Sequence, residues 1–255
     1  MSERARPRVA LIGLGGLGCP AALALLESDV DLLLLDDDEV ELTNLHRQVL
    51  YSDSDVGRPK LEAARDALLR HGAAPERLSL RSTRFLPENA EEILGSVDLV
   101  LEGSDNFATK FLAADACHLA GVPLVHGAAI RWQATAWLVA PEGRPCYRCL
   151  FEDLPRGAQQ NCDSAGVMGP VVGLAGALMA ELALRWLNGD SRAAGVVWTY
   201  DGRTDRLRKV EVAARAGCTL CGRQPTILDT REARYLDPLA GTCGQTSGVE
   251  AGNVS

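Results

Sequence analysis

The residues with the most chemical content are two cysteine pairs, Cys146-Tyr-Arg-Cys149 and Cys218-Thr-Leu-Cys221, separated by 68 residues. One such pair suits either redox chemistry or a metal. Two pairs in a chain without an export signal fit a single tetrahedral four-thiolate zinc site better than two redox couples. Four thiolates leave no position for water, so that zinc is structural. Cys162 differs: it sits in the polar stretch Gln160-Asn-Cys162-Asp-Ser-Ala-Gly166, just before a long apolar segment. A thiol exposed beside a helix start can have a lowered pKa and act as a nucleophile; a loop cysteine without chemistry is the equal alternative. Cys19 and Cys117 fall in apolar helical stretches and read as small buried hydrophobes, while Cys243 carries no signal.

A second constellation points to phosphate. The run Gly13-Leu-Gly15-Gly16-Leu-Gly18 follows an apolar segment and opens a helical one. Glycines there allow a tight turn and close approach of the backbone to a phosphate, which the helix N-terminus then receives. Asp36 lies 20 residues beyond Gly16, where a carboxylate can accept from a ribose hydroxyl. This much indicates a nucleotide but not which one, and a plain tight turn is the bland alternative. The segment Asn44-Leu-His-Arg47-Gln48 and then Arg58-Pro-Lys60 place an amide and cations within 17 positions. A triphosphate needs such neutralisation, whereas a dinucleotide dehydrogenase does not. Ser104-Asp105-Asn106 ends another apolar run. Asp105 there can hold Mg²⁺ at the crevice, cap the following helix, or both.

These groups must be positioned by alternating elements. Arg8–Ile12, Val30–Leu35, Leu78–Ser82, Val97–Glu102 and Pro123–Val125 read as strands, and residues 19–28, Lys60–His71 and Phe107–Ala120 as helices. The second strand is too continuously apolar to have a wet face, as in a buried parallel strand. The alternation predicts an α/β protein with a Rossmann-like, doubly wound, mostly parallel sheet. After Gly127 the rhythm changes: Gln133–Val139, Val196–Tyr200 and Leu207–Val212 predict antiparallel strands that extend the sheet, and Val167–Leu187 a buried helix. The expected organisation is one domain over 1–222 that includes the zinc site, then a loosely ordered tail over 223–255.

Composition sets outer bounds. Of 255 residues, 47% are hydrophobic and 24% charged, which excludes wholesale disorder. The net charge is −8 and no Lys/Arg block stands out, which argues against nucleic acid or an anionic membrane as partner. The apolar run Val9–Leu14 is too short for a signal peptide, and no stretch approaches the roughly 20 apolar residues of a membrane span. A cytoplasmic location is expected.

Taken in order, these motifs resemble the adenylyltransferases that activate ubiquitin-like sulfur carrier proteins, the MoeB-, ThiF- and HesA-type enzymes related to ubiquitin-activating enzymes. The resemblance runs from about Val9 to Gly222. It also includes Gly127-Ala-Ala-Ile-Arg131 and Ala165-Gly-Val-Met-Gly-Pro170. It implies a homodimer with one structural zinc per subunit. It also implies ATP with Mg²⁺ at the strand ends, and attack of the carrier's C-terminal Gly-Gly carboxylate on the α-phosphate to give an acyl-adenylate and pyrophosphate. By similarity Gly13, Gly15, Gly16 and Gly18 cradle ATP and Asp36 holds the ribose. Asn44, Arg47 and Lys60 bind phosphates, and Asp105 organises Mg²⁺ and the reacting groups. Two departures stand out. Relatives usually carry an N-terminal Arg-x-x-Arg-Gln segment that reaches the partner's ATP; here Arg4, Arg6 or Arg8 would have to serve. Lys110 replaces the usual Arg after Asp-Asn, which keeps the charge but loses the planar fork. Two rival readings remain: a nicotinamide-dependent oxidoreductase, which shares only the glycine loop and Asp36, and a degenerate, non-catalytic relative that binds a carrier or partner subunit.

Overall fold

The computed structural model describes residues 6–141, 143–155 and 166–235. The strands β1 (Arg8–Ile12), β2 (Asp31–Leu35), β3 (Leu78–Arg81), β4 (Leu99–Glu102), β5 (Leu124–Ile130), β6 (Gln133–Val139), β7 (Val196–Asp201) and β8 (Arg206–Glu211) form one sheet. Its order is β3-β2-β1-β4-β5-β6-β7-β8. Pairing is parallel from β3 to β5 and antiparallel from β5 to β8. The helices are α1 (Gly18–Leu25), α2 (Lys60–Arg70), α3 (Pro87–Leu94), α4 (Phe107–Ala120), the single turn α5 (Tyr147–Leu150) and α6 (Gly169–Leu187).

The apolar runs become strands because both faces of the sheet are covered. In β1, Val9 and Leu11 enter the core shared with α1, α2 and α6, and Ala10 and Ile12 enter the one shared with α3 and α4. This is the expected Rossmann-like sheet with its antiparallel extension. The chain leaves β1 toward β2 on one side, and β4 pairs on the other. The order therefore reverses between β1 and β4, and the crevice at their carboxyl ends is where open α/β sheets take ligands.

Three elements differ from expectation. Helix α3 has little apolar signal, since of its residues only Ala90, Ile93 and Leu94 are buried. β5 runs on to Ile130 through Gly127-Ala-Ala, residues with weak strand propensity, because β6 pairs with it along its full length. Helix α6 is long and apolar enough to cross a bilayer, contrary to expectation, yet Val171, Val172, Ala175, Met179, Ala180, Leu182 and Ala183 are buried in the core with α1.

Residues expected in a tail also pack. Ile227 is buried with the four cysteines, and Tyr235 is buried with its hydroxyl donating to Asp115 Oδ2 at 2.9 Å. Residues 236–255, including Cys243, lie outside the described residues.

Candidate functional site

The glycine run forms the turn between β1 and α1. Gly13 has φ +87°, a left-handed conformation that favours glycine. A Cβ on Gly18 would collide with the Gly13 carbonyl oxygen. On its other side Gly13 faces the turn after β4: a Cβ there would stand 3.5 Å from the Gly103 carbonyl and from the Ser104 nitrogen. The glycine loop and the turn carrying Asp105 are thus the two lips of one crevice. Asp105 is exposed there, and its carboxylate has no hydrogen-bond partner among the described residues. The cap of α4 is Asn106, whose side chain accepts from Thr109 N at 2.8 Å, not Asp105. An exposed, uncommitted carboxylate beside a phosphate-type loop is a donor of the kind Mg²⁺ takes.

Asp36 ends β2 beneath the loop. Its Oδ2 accepts from Leu14 N at 2.7 Å, and its Oδ1 accepts from Asp38 N at 2.9 Å. Burial pushes the Asp36 carboxyl above its ordinary value, although Lys60 and the two backbone donors oppose this. Lys60, at the start of α2, is buried; its Nζ donates to Asp38 Oδ2 at 2.7 Å and lies 4.0 Å from Asp36 Oδ1. Burial alone would lower its pKa, but Asp36 and Asp38 outweigh burial and raise it, so Lys60 carries its charge.

Arg47 lies across the loop: a Cβ on Gly16 would meet the Arg47 Cγ at 3.3 Å and Val172 of α6 at 2.7 Å. Asn44 opens the turn that holds this segment, with its carbonyl accepting from Arg47 N and Gln48 N, while its amide donates to Glu41 at 3.2 Å. The start of α6 closes on the same segment, where a Cβ on Gly169 would stand 2.5 Å from the His46 carbonyl oxygen. Arg58, by contrast, is engaged by Asp55 and Asp66. Of the N-terminal arginines, Arg6 pairs with Asp29 at 2.6 Å and Arg8 begins β1, at the end of the strand opposite the crevice. Arg4 and Cys162 lie outside the described residues.

The four cysteines of the two pairs come together. All four Sγ atoms lie within 4.8 Å of one another, with Cys146–Cys149 at 4.0 Å, Cys146–Cys218 at 3.5 Å and Cys149–Cys221 at 3.4 Å. A tetrahedron of sulfurs about 2.3 Å from zinc has edges of about 3.8 Å. The donor set and its spacing therefore fit such an ion. Cys19 and Cys117 are buried as expected, and burial pushes the Cys19 thiol up to about 12, which makes it inert.

Residues 3–220 match the ThiF family. This chain belongs to it. Among its relatives, the molybdopterin-synthase adenylyltransferase of Escherichia coli is 40% identical over 221 residues, covering 85% of this chain and 87% of that one. The sulfur carrier protein ThiS adenylyltransferase of the same organism is 36% identical over 217 residues, with 84% and 86% covered. The adenylyltransferase and sulfurtransferase MOCS3 of Culex quinquefasciatus is 38% identical over 226 residues; this chain spans about half of its length, 51%. Among solved structures, E. coli MccB with ATP superposes with a TM-score of 0.72 at 21% identity, over 85% of this chain and 67% of that one, a likeness in fold.

One cluster escaped sequence reasoning. Glu102, the last residue of β4, is fully buried. Its Oε1 accepts from Ser104 N at 2.7 Å and from the Ser104 hydroxyl; its Oε2 accepts from Lys110 Nζ at 2.9 Å and pairs with His126 Nδ1 at 3.2 Å. Lys110 also donates to the Gly127 carbonyl at 2.8 Å. A carboxylate closing an otherwise apolar strand was the available signal.

Proposed function

We propose that this chain uses ATP to adenylate the C-terminal Gly-Gly carboxylate of a ubiquitin-like sulfur carrier protein, giving an acyl-adenylate and pyrophosphate. The observation that carries this is the crevice itself. A glycine loop, a ribose-type acid, a buried charged lysine and an arginine lie on one side of the β1/β4 switch point, and an uncommitted carboxylate on the other. Membership of the ThiF family and the names of its relatives support the same reaction. In it, a carboxylate oxygen of the carrier bonds to the α-phosphorus while the bond from that phosphorus to the bridging oxygen breaks, and the pyrophosphate leaves with the electron pair.

The residues divide the work. Gly13, Gly15, Gly16 and Gly18 let the loop and the α1 N-terminus meet the phosphates. Asp36 accepts from the ribose. Lys60, Arg47 and Asn44 bind and neutralise phosphate oxygens, which is most of what in-line attack at phosphorus requires. Asp105 would hold Mg²⁺, which when bound supplies further charge neutralisation. Cys146, Cys149, Cys218 and Cys221 would hold a structural zinc. A cytoplasmic homodimer, each subunit one domain that takes in the packed residues up to Tyr235, completes the reading; light scattering of the purified protein tests the dimer. If the activated carrier is passed on within the protein, Cys162 is the thiol to receive it, and Cys162→Ala should leave adenylation unchanged.

Carrier-dependent ATP–pyrophosphate exchange is the decisive experiment. Exchange that appears only with a Gly-Gly-terminated carrier, E. coli ThiS as the first probe, is the expected result. ATP binding without exchange, across a panel of such carriers, would favour the non-catalytic alternative.

A further inference from the structure

We infer that Glu102 is a positioning residue that sets the turn carrying Asp105, with Lys110 and His126 holding Glu102 in place. The inference rests on the reading of the crevice as an ATP–Mg²⁺ site. Glu102 is wholly excluded from solvent, and both of its oxygens are committed. One oxygen takes both donors of Ser104, the residue next to Asp105. The other takes Lys110 and His126. A carboxylate bound at one end to a backbone N–H and a hydroxyl fixes the path of the chain through that turn. Two further donors at its other end fix the carboxylate.

Each anchor belongs to a different element. Lys110 stands one turn into α4 and is tied to β5 through Gly127. His126 lies on β5, and its ring packs at a tilt against that of Tyr147, between the first two cysteines, with centroids 4.1 Å apart. The Asp105 turn is therefore referenced to β4, β5 and α4 together, not left to loop flexibility. Asp105 itself has no internal partner among the described residues to hold it. Supporting shells of this kind keep a metal-binding carboxylate in its productive geometry. A buried charge cluster also needs every member, because removing one leaves another unpaired.

The test is the ratio of the ATP dissociation constants measured by calorimetry in EDTA and in Mg²⁺, a coupling that reads the metal's hold on the protein. Glu102→Gln should lower this ratio about tenfold, and Ser104→Ala, which deletes only the hydroxyl donor, about threefold. In both, the EDTA constant should stay within about twofold of wild type. A merely structural role would move the EDTA constant and the melting temperature and leave the ratio alone. Ser104→Ala keeps the question answerable if Glu102→Gln fails to fold. Variants that retain the wild-type ratio would overturn the positioning role while leaving the site reading intact. Wild-type protein whose ATP affinity ignores Mg²⁺, or that binds no ATP, would remove the site reading and this inference with it.

Discussion

Lys60 is a cation already stripped of water. It is held by an exposed Asp38 and a buried Asp36, and its charge is kept by them against burial. An incoming phosphate can replace the Asp38 contact without paying again for desolvation. Hydrogen bonds to charged groups contribute about 1.5–3 kcal/mol, so Lys60→Met should weaken ATP binding between about tenfold and a hundredfold. Unchanged affinity by calorimetry would take Lys60 out of the site. The Glu102 cluster gives a second, pH-linked expectation. Burial pushes His126 below its ordinary 6.5, despite Glu102, so the fold holds it neutral. The unfolded chain then takes up that proton first, and acidification through 6.5 costs stability. Glu102 acts in the same direction at lower pH. Burial pushes it up, but Lys110, His126 and Ser104 prevail and hold it at about 2, against an ordinary 4.5. Its stabilisation is present above 4.5 and is lost as pH falls toward 2. In His126→Gln the first component disappears. The melting temperature of wild type relative to that variant should therefore decline from pH 7 to pH 5; parallel curves would contradict a neutral His126.

The glycines of α1 and α6 set how closely these elements approach the crevice. Gly18→Ala places a methyl group against a backbone oxygen of the loop, and Gly169→Ala one at 2.5 Å from the His46 carbonyl. Backbone cannot yield as a side chain can, so each should cost about 1–3 kcal/mol and disturb ATP binding. A methyl group on Gly173, inside α6, would meet open space, with nothing within 4 Å, and Gly173→Ala should gain about 0.5–1 kcal/mol. Denaturant titration separates the three, and equal effects would mean that the close approaches do not matter. The same elements show what the chain discloses in advance. β1, β2, α2 and α4 are legible because their apolar residues recur with a clear period and are bounded by glycine, proline or charge. α3 is hidden because it buries only Ala90, Ile93 and Leu94. The glycine loop, Asp36 and the cysteine pairs are legible because their chemistry depends on local spacing. Glu102, Lys110 and His126 are not, because β4, α4 and β5 bring them together only once the sheet exists.

At the scale of the molecule, the cysteine cluster is joined to the crevice by side chains of its own turn. Arg148, between Cys146 and Cys149, makes a buried bidentate pair with Asp115 of α4 at 2.7 and 2.8 Å and lies over Phe111. Tyr147 packs on His126 and Phe111. The same α4 begins at the Asp105 turn and carries Lys110. Zinc bound by the four thiolates would therefore hold the antiparallel end of the sheet against the helix that positions the crevice. Metal binding of this kind is coupled to folding. Cys218→Ser should lose zinc on metal analysis; a full complement in that variant would break the four-thiolate assignment. If the loss costs about 3 kcal/mol, the melting temperature should drop by about 10 °C. Hydrogen exchange then distinguishes a local staple from a molecular one. Protection should fall in α5 and along α4 from Phe111 to Ala120, where Arg148 and Tyr147 bear on it, while β2, toward the other end of the sheet, and α2, on its opposite face, keep theirs. Loss confined to the cysteine turns would mean that α4 stands without the zinc. Uniform loss across the sheet would mean that the protein unfolds as one unit when the metal leaves.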